Sequence, residues 1–424
     1  MTPPARLEAA IALLTEILTA TNRPADGVAN NFFRARRFIG SSDRRAVSDR
    51  VWSVIRAHRR LDWWLGHDDA TPRLRVAGLL LLEGTKMPAL QDLFSGGKFA
   101  PNTLGQEERA VLRRLEGRNL NHYSMPEPVR HEIPDWVFPI LEAQYRDALG
   151  HELAAMARPA PLDLRVNTLK TTREEAQAAL AAEDIEAVPA KFSPWGLRVQ
   201  SRQMITTGKA FTEGLVEIQD EGSQLVAMLV DAYPGMRVAD YCAGAGGKTL
   251  AIAMRMNNRG HIVACDVSAP RLAGAVRRLR RAGVHNVEQH LLISGDKWAK
   301  RNSQKYDRVL VDAPCTGTGT WRRNPDARMR LVAQDLAELL PKQAMILDAA
   351  SALVRPGGKL VYATCSLLAQ ENEDQVRAFL SRHPTFRSRP LPETWPTGPG
   401  GAMSLTPSQH DTDGFFGAVL ERVP

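Results

Sequence analysis

Leu7, Ile11, Leu14 and Leu18 recur three or four residues apart, which sets one apolar stripe along a helix. The same period returns over Val47–Trp64 and Leu74–Leu82, and nothing before about residue 160 alternates as a strand does. An all-helical first domain over 1–125 follows, with a Pro- and Gly-dotted stretch at about 95–130 as its exit. Helices around Trp136–Ala157 come next, then a strand at Pro161–Asn167, a helix at Arg173–Ala182 and a strand at Leu197–Val199. Val216–Ser223 leads into a further helix that begins near Ser223, so 130–225 reads as a small α/β pre-domain. From Asp231 the pattern becomes regular. Strands are predicted at Arg237–Tyr241, His261–Cys265, Gln289–Ile293, Arg308–Val311 and Lys359–Ala363, each followed by helical periodicity. That alternation predicts an α/β domain over 226–424 with a mostly parallel sheet. The closing run Gly414–Leu420 reads as a last strand in an antiparallel edge hairpin.

The 424 residues, 44% hydrophobic and 24% charged, are those of a globular protein of two or three domains. No run reaches the roughly 18 apolar residues of a membrane span; Leu79–Leu82 stops at Glu83, and Met1-Thr2-Pro3-Pro4 opens an amphipathic helix, not a signal peptide. Four cysteines without Cys-x-x-Cys spacing argue against a zinc site or a disulfide framework and suit a reducing cytoplasm. A net charge of +8 fits a nucleic-acid partner. Residues 1–120 carry nineteen Lys and Arg against thirteen Asp and Glu. Within them Phe32–Phe38 and Arg56–Arg60 mix rings with arginine, either as solvated helix faces or as an RNA-backbone patch.

The first candidate site is Asp240–Thr249, a strand end, a glycine turn and a helix start. Glycines let backbone approach a ligand and supply amide donors at the helix N-terminus. A phosphate loop needs Gly-x-x-x-x-Gly-Lys-Thr, and Cys242 stands where its first glycine belongs. Gly244-Ala245-Gly246-Gly247 also lacks the third-glycine spacing of a nicotinamide fingerprint. Asp266 ends the next strand, placed either to accept ribose hydroxyls or to cap the helix after Ser268. Asp296, beyond the third strand, is a candidate for an adenine amino group. A glycine loop and a ribose carboxylate without a phosphate loop point to S-adenosylmethionine.

The second candidate site is a pair of thiols. Val309–Val311 runs into Asp312-Ala313-Pro314-Cys315-Thr316-Gly317, and Leu360–Ala363 into Thr364-Cys365-Ser366. Carbon 5 of cytosine is a poor nucleophile until a thiolate adds at carbon 6, and a free thiol must be activated for that because its pKa is about 8.5. Asp312 can hold a proton at ring N3 as the adduct forms, or merely cap its strand. A second thiol near the adduct can assist release. Either cysteine alone is a small buried hydrophobe; two at such strand ends are not. Their chemistry alone does not order them. Cys242 and Cys265 read as packing residues beside the cofactor.

These stretches, with Ile218–Gln224 and Thr412–Phe416, resemble the Sun family of RNA cytosine-5 methyltransferases over about residues 130–424. The resemblance implies a Rossmann-like S-adenosylmethionine-dependent core, with Cys365 as nucleophile and Cys315 assisting product release. It places the cofactor against Cys242, Ala243, Gly244, Ala245, Gly246, Gly247, Lys248, Asp266, Asp296 and Asp312. One departure is that the family's Ala-Ala-Pro-Gly-Gly is here Ala243-Gly244-Ala245-Gly246-Gly247. Residues 1–120 are similar to the antitermination-factor-like RNA-binding domain of bacterial rRNA-modifying members, which favours small-subunit rRNA over tRNA. The chemistry itself requires unpaired or extruded RNA, since a stacked cytosine hides carbon 6, and a monomer is expected. Arg322 and Arg323, after Trp321, are candidates for holding the RNA backbone, with an ordinary surface loop as the alternative. A DNA cytosine methyltransferase would use the Pro-Cys thiol as nucleophile and lack the second motif. A non-catalytic assembly factor would need neither thiol.

Overall fold

The computed structural model describes residues 1–20, 23–66, 70–201, 203–295 and 297–423. They form two compact units: Met1–Ala157 with Asn324–Val332, and Arg158–Arg323 with Ala333–Pro424.

The first unit is helical, as its periodicity predicts. Pro3–Thr19 starts on the Thr2 hydroxyl, which accepts the Ala5 amide at 3.3 Å, and Pro72–Leu82 starts on Thr71 in the same way. Leu7, Leu14, Val47, Val51, Leu61 and Leu81 form one buried core. Leu104, Leu112 and Leu115 lie in it too, so the stretch expected to be the domain's exit is part of its interior. The segment Asn324–Val332 joins this unit from far along the chain: Asp326 accepts the Ala25 amide at 3.0 Å, and the Trp136 indole donates to the Leu331 carbonyl at 3.3 Å. Most of the arginine clusters are internally paired. Arg36 meets Glu16 at 3.1 Å, Arg59 meets Asp135 at 2.8 Å and Arg60 meets Glu132 at 2.9 Å, while Phe38 is exposed.

The second unit holds two sheets. Strands β1 (Leu162–Val166), β2 (Ala187–Pro189), β3 (Gly196–Val199) and β4 (Val216–Ile218) pair antiparallel in the order β2-β3-β1-β4. The larger sheet contains β5 (Arg237–Asp240), β6 (His261–Asp266), β7 (Val287–Leu291), β8 (Tyr306–Asp312), β9 (Val354–Thr364), β10 (Phe386–Arg389), β11 (Met403–Leu405) and β12 (Phe415–Arg422). Its main path is β10-β12-β9-β8-β5-β6-β7, with β11 against β12. Pairs among β5 to β9 are parallel, and β12 lies antiparallel to β9 with Phe416 opposite Thr364.

Val309–Val311 and Leu360–Ala363 are wholly buried, which is why an unbroken apolar run there reads as strand. Two details differ from expectation. The third parallel strand is Val287–Leu291, a half-exposed edge whose polar residues blur its limits. The closing strand is antiparallel but interior, because β10 and β11 cover its outer side. Strand order reverses between β5 and its neighbours β6 and β8, which opens a crevice at the carboxyl ends, where ligands bind in such sheets.

Candidate active site

The chain leaves β5 through a turn held from β6: the Ala243 amide donates to the Cys265 carbonyl at 2.9 Å. Gly246 caps the helix Gly247–Arg255 with φ +78°, and a Cβ there would lie 3.0 Å from that of Ala275. Left-handed backbone and lack of room both require glycine. The missing family proline does not disturb this, since the helix still begins at Gly247. Asp266 serves the turn directly. One oxygen accepts the Gly244 amide and the other the Ser268 amide, both at 2.8 Å. The contact to Ser268 is an Asx turn at the strand end and not a cap of the helix, which starts after Ser268 without a side-chain cap, and each oxygen keeps a lone pair for a ligand.

A cavity of about 940 Å³ opens here, lined by Asp240, Cys242–Ala245, Gly247, Lys248, Asp266, Asp312, Cys315 and Cys365, with Arg271, Arg278 and Lys342 also on its wall. Small-molecule sites span about 300–1,000 Å³. Of the expected cofactor residues, Gly246 shapes the turn without reaching that wall, and Asp296 lies outside the described residues. Cys242 lines the cavity with a thiol pushed up by burial and by the carboxylates of Asp312, Asp240 and Asp266, which suits packing and not nucleophilic attack. Cys265 is fully buried in the core beneath.

Asp240, named in the Asp240–Thr249 stretch but given no role there, also lines the cavity. It is fully buried, its Oδ2 accepts the Thr249 hydroxyl at 2.6 Å, and its Oδ1 has no partner among the described residues. Burial first, then the charge of Asp312, raises its pKa to about 7. A buried carboxylate oxygen without a partner among the described residues, on a residue of the cavity wall, is satisfied by taking up a proton or by a ligand's cation. An aspartate ending a strand, nine residues before a threonine inside a helix, was the available signal.

On the other wall the two thiols meet. Cys315 and Cys365 are both free and partly accessible, with Sγ atoms 3.4 Å apart. The hydrogen bond that its S–H makes to Cys365, then burial, holds the Cys315 thiol well above its ordinary value. Asp312 receives the Lys248 ammonium at 2.7 Å. Burial would lower the Lys248 pKa, but Asp312 outweighs it and holds it above normal. Close backbone packing fixes the Cys365 loop: the Gly319 amide donates to the Cys365 carbonyl at 3.0 Å, and the Gly414 amide to the Gly319 carbonyl at 2.8 Å. A Cβ on Gly319 would fall 2.2 Å from the Gly414 oxygen.

Arg322 and Arg323 require a correction. Arg322 is only 2% exposed and bonds Asp413 at 2.9 Å and Asp411 at 3.2 Å; Arg323 bonds Asp413 at 2.7 Å and Asp220 at 3.0 Å. They hold the chain's own carboxylates, so neither an RNA-backbone clamp nor an ordinary surface loop describes them.

A parallel sheet with a glycine loop at its first strand and an open carboxylate over a nucleoside-sized hollow defines the class: an S-adenosylmethionine-dependent methyltransferase. Comparison with known proteins narrows it. Residues 227–421 match the family described as 16S rRNA methyltransferase RsmB/F, and 133–206 match the ferredoxin-like domain of such proteins. The chain is 33% identical over 414 residues to a probable ribosomal RNA small subunit methyltransferase B of Synechocystis sp., covering 91% of this chain and 92% of that one. It is 30% identical over 409 residues to ribosomal RNA small subunit methyltransferase B of Yersinia enterocolitica, covering 91% and 92%. Among solved structures, PH0851 superposes with a TM-score of 0.84 at 27% identity over 100% of this chain and 99% of that one. A methyltransferase homologue from Pyrococcus horikoshii gives 0.62 at 29%, covering 70% and 97%. The chain belongs to the RsmB/F family of 16S rRNA methyltransferases, as the Sun-family resemblance implied. Among the described residues no helix is long and apolar enough to cross a membrane.

Proposed function

We propose that the chain methylates carbon 5 of a cytosine in 16S rRNA through a covalent adduct on Cys365. The observation that carries this is the 3.4 Å approach of two free thiols at the wall of the cofactor cavity. Bound in that cavity, S-adenosylmethionine supplies an electrophilic methyl group. The Cys365 thiolate forms a bond to carbon 6, and the ring electrons shift towards N3 and carbon 5. A solvent proton is taken up at N3 as charge gathers there, and the Asp312 carboxylate, steadied by Lys248, holds it by accepting the N3–H hydrogen bond. Carbon 5 then takes the methyl, with S-adenosylhomocysteine as the leaving group. For release, the carbon-5 proton passes to a solvent base, the 5,6 double bond re-forms, the carbon–sulfur electron pair returns to Cys365, and the N3 proton goes back to solvent. Cys315, kept as a thiol, donates its hydrogen to that departing sulfur.

The family match and the names of the relatives support rRNA as the substrate class. The ring must leave its stack to reach the wall, so we take the substrate to be an unpaired or extruded cytosine, bound by a cytoplasmic monomer. Our working division of labour gives 1–125 and 130–225 to RNA binding and 226–424 to chemistry. Cys365→Ala should abolish product and adduct, whereas Cys315→Ala should accumulate a protein–RNA adduct that survives denaturing electrophoresis. The opposite pattern would reassign the nucleophile. Adduct from neither variant, with methylation retained, would remove covalent catalysis.

A further inference from the structure

Beneath the thiols lies a carboxylate that the chemistry above does not use. Glu371 is 0% exposed. Its Oε1 accepts the Thr316 amide and the Gln343 side-chain amide, each at 2.9 Å. Its Oε2 accepts the hydroxyls of both Thr316 and Ser366 in close contacts. Thr316 directly follows Cys315 and Ser366 directly follows Cys365, so one side chain grips the residue after each thiol. Gln343 extends the grip by donating also to the Pro314 carbonyl at 3.0 Å, on the other side of Cys315.

We infer that Glu371 is a positioning residue for the thiol pair, setting the distance between the two sulfurs and the orientation of the loops that carry them. The inference rests on the covalent reading of Cys365. Four donors converge on its two oxygens, two N–H groups on Oε1 and two hydroxyls on Oε2, a set that a carboxylate satisfies at once, whereas an amide would have to turn its NH₂ towards the hydroxyls and make both of them find other acceptors. No substrate atom need touch it. Its negative charge also adds to the causes that keep Cys315 a thiol, after the Cys365 hydrogen bond and burial.

The test is Glu371→Gln, checked for folding by circular dichroism and assayed on 16S rRNA with cofactor varied. Turnover should fall about ten- to a hundredfold, as when reacting groups are misplaced by a fraction of an ångström to an ångström, with the cofactor KM within about threefold of wild type. A purely architectural role predicts no change in thiol titration. Positioning with a nearby charge predicts that alkylation of Cys315 by iodoacetamide, in a Cys365→Ala background, shifts its midpoint about one pH unit lower when Glu371 becomes Gln. Unchanged turnover together with an unchanged alkylation profile overturns the inference. Should Glu371→Gln not fold, Thr316→Val and Ser366→Ala each remove one arm and should each slow turnover about three- to tenfold; if both leave it within about twofold, the inference is equally overturned. Failure of the covalent reading has its own signature, the absence of adduct in Cys315→Ala, and the alkylation profile still reports on Glu371 in that event.

Discussion

Two buried carboxylates a few residues from the reacting atoms are treated in opposite ways. Under the thiols, Glu371 is surrounded by donors on both oxygens. On the wall of the large cavity, Asp240 has one hydroxyl on Oδ2 and no partner for Oδ1 among the described residues. A buried charge is tolerated only if it is paired or fully hydrogen-bonded. Glu371 meets that condition from within the chain, so it acts as scaffold. Asp240 does not, and its pKa of about 7 shows the burial penalty standing uncompensated. We propose that a bound ligand's cation completes Asp240 when its carboxylate is charged. The contrast separates residues that build the active site from residues that wait for something to fill it.

The sharpest way to break that contrast is to remove both charges and compare. Glu371→Leu strands the Thr316 amide, two hydroxyls and the Gln343 amide in a dry interior, so unfolding free energy should drop by about 3–5 kcal/mol, read as a fall in denaturant midpoint. Asp240→Asn should do nothing of the kind at neutral pH, because it deletes an unfavourable charge. Its loss should appear in the cofactor instead: about 2 kcal/mol of a charge-assisted bond, or roughly thirtyfold weaker S-adenosylmethionine binding by calorimetry. If Asp240→Asn destabilises the free protein as Glu371→Leu does, the distinction fails. The same pair predicts a pH effect. A carboxylate raised in the folded state binds protons more tightly there than when unfolded. Its stability contribution is therefore complete below about pH 4 and is lost as pH rises to about 7. Asp220, raised to about 7 by burial and then by Asp413, acts in the same direction. Asp240→Asn should flatten only its own share of that decline.

This contrast was half legible in the chain. The apolar runs Val309–Val311 and Leu360–Ala363 announce central strands because both of their faces are covered, and the residues after them are then placed at the cleft by topology alone. The glycine turn was equally legible, since left-handed backbone leaves its mark as glycine. The strand β10 was not, because Phe386-Arg387-Ser388-Arg389 is an exposed edge with no run to recognise. Glu371 was invisible for a different reason: only Ser366 is near it in sequence, and the donors from residues 316 and 343 lie 55 and 28 residues away. Arg322 and Arg323 misled in the same way. Two adjacent arginines after a tryptophan suggest a partner outside the chain, yet their carboxylates at Asp220, Asp411 and Asp413 lie some ninety to a hundred residues away in sequence. Local periodicity reports burial well, but it says nothing about which distant charge will be waiting.

A smaller change refines the comparison. Thr249→Val keeps the volume near Asp240 but takes away its one donor, the hydroxyl 2.6 Å from Oδ2. With the carboxyl protonated, at pH 5, the loss is an ordinary hydrogen bond of about 1 kcal/mol. Above pH 7 the carboxylate is charged, and the bond removed is charge-assisted, worth roughly twice as much. The destabilisation of the free protein by Thr249→Val should therefore grow by about 1 kcal/mol between pH 5 and pH 8, and the Asp240 titration should move further up. Saturating S-adenosylmethionine should shrink that growth, because its ammonium supplies Oδ1 with the partner the chain withholds. A penalty that stays flat with pH would mean that Asp240 keeps its charge throughout, and that the cavity floor is already completed from within.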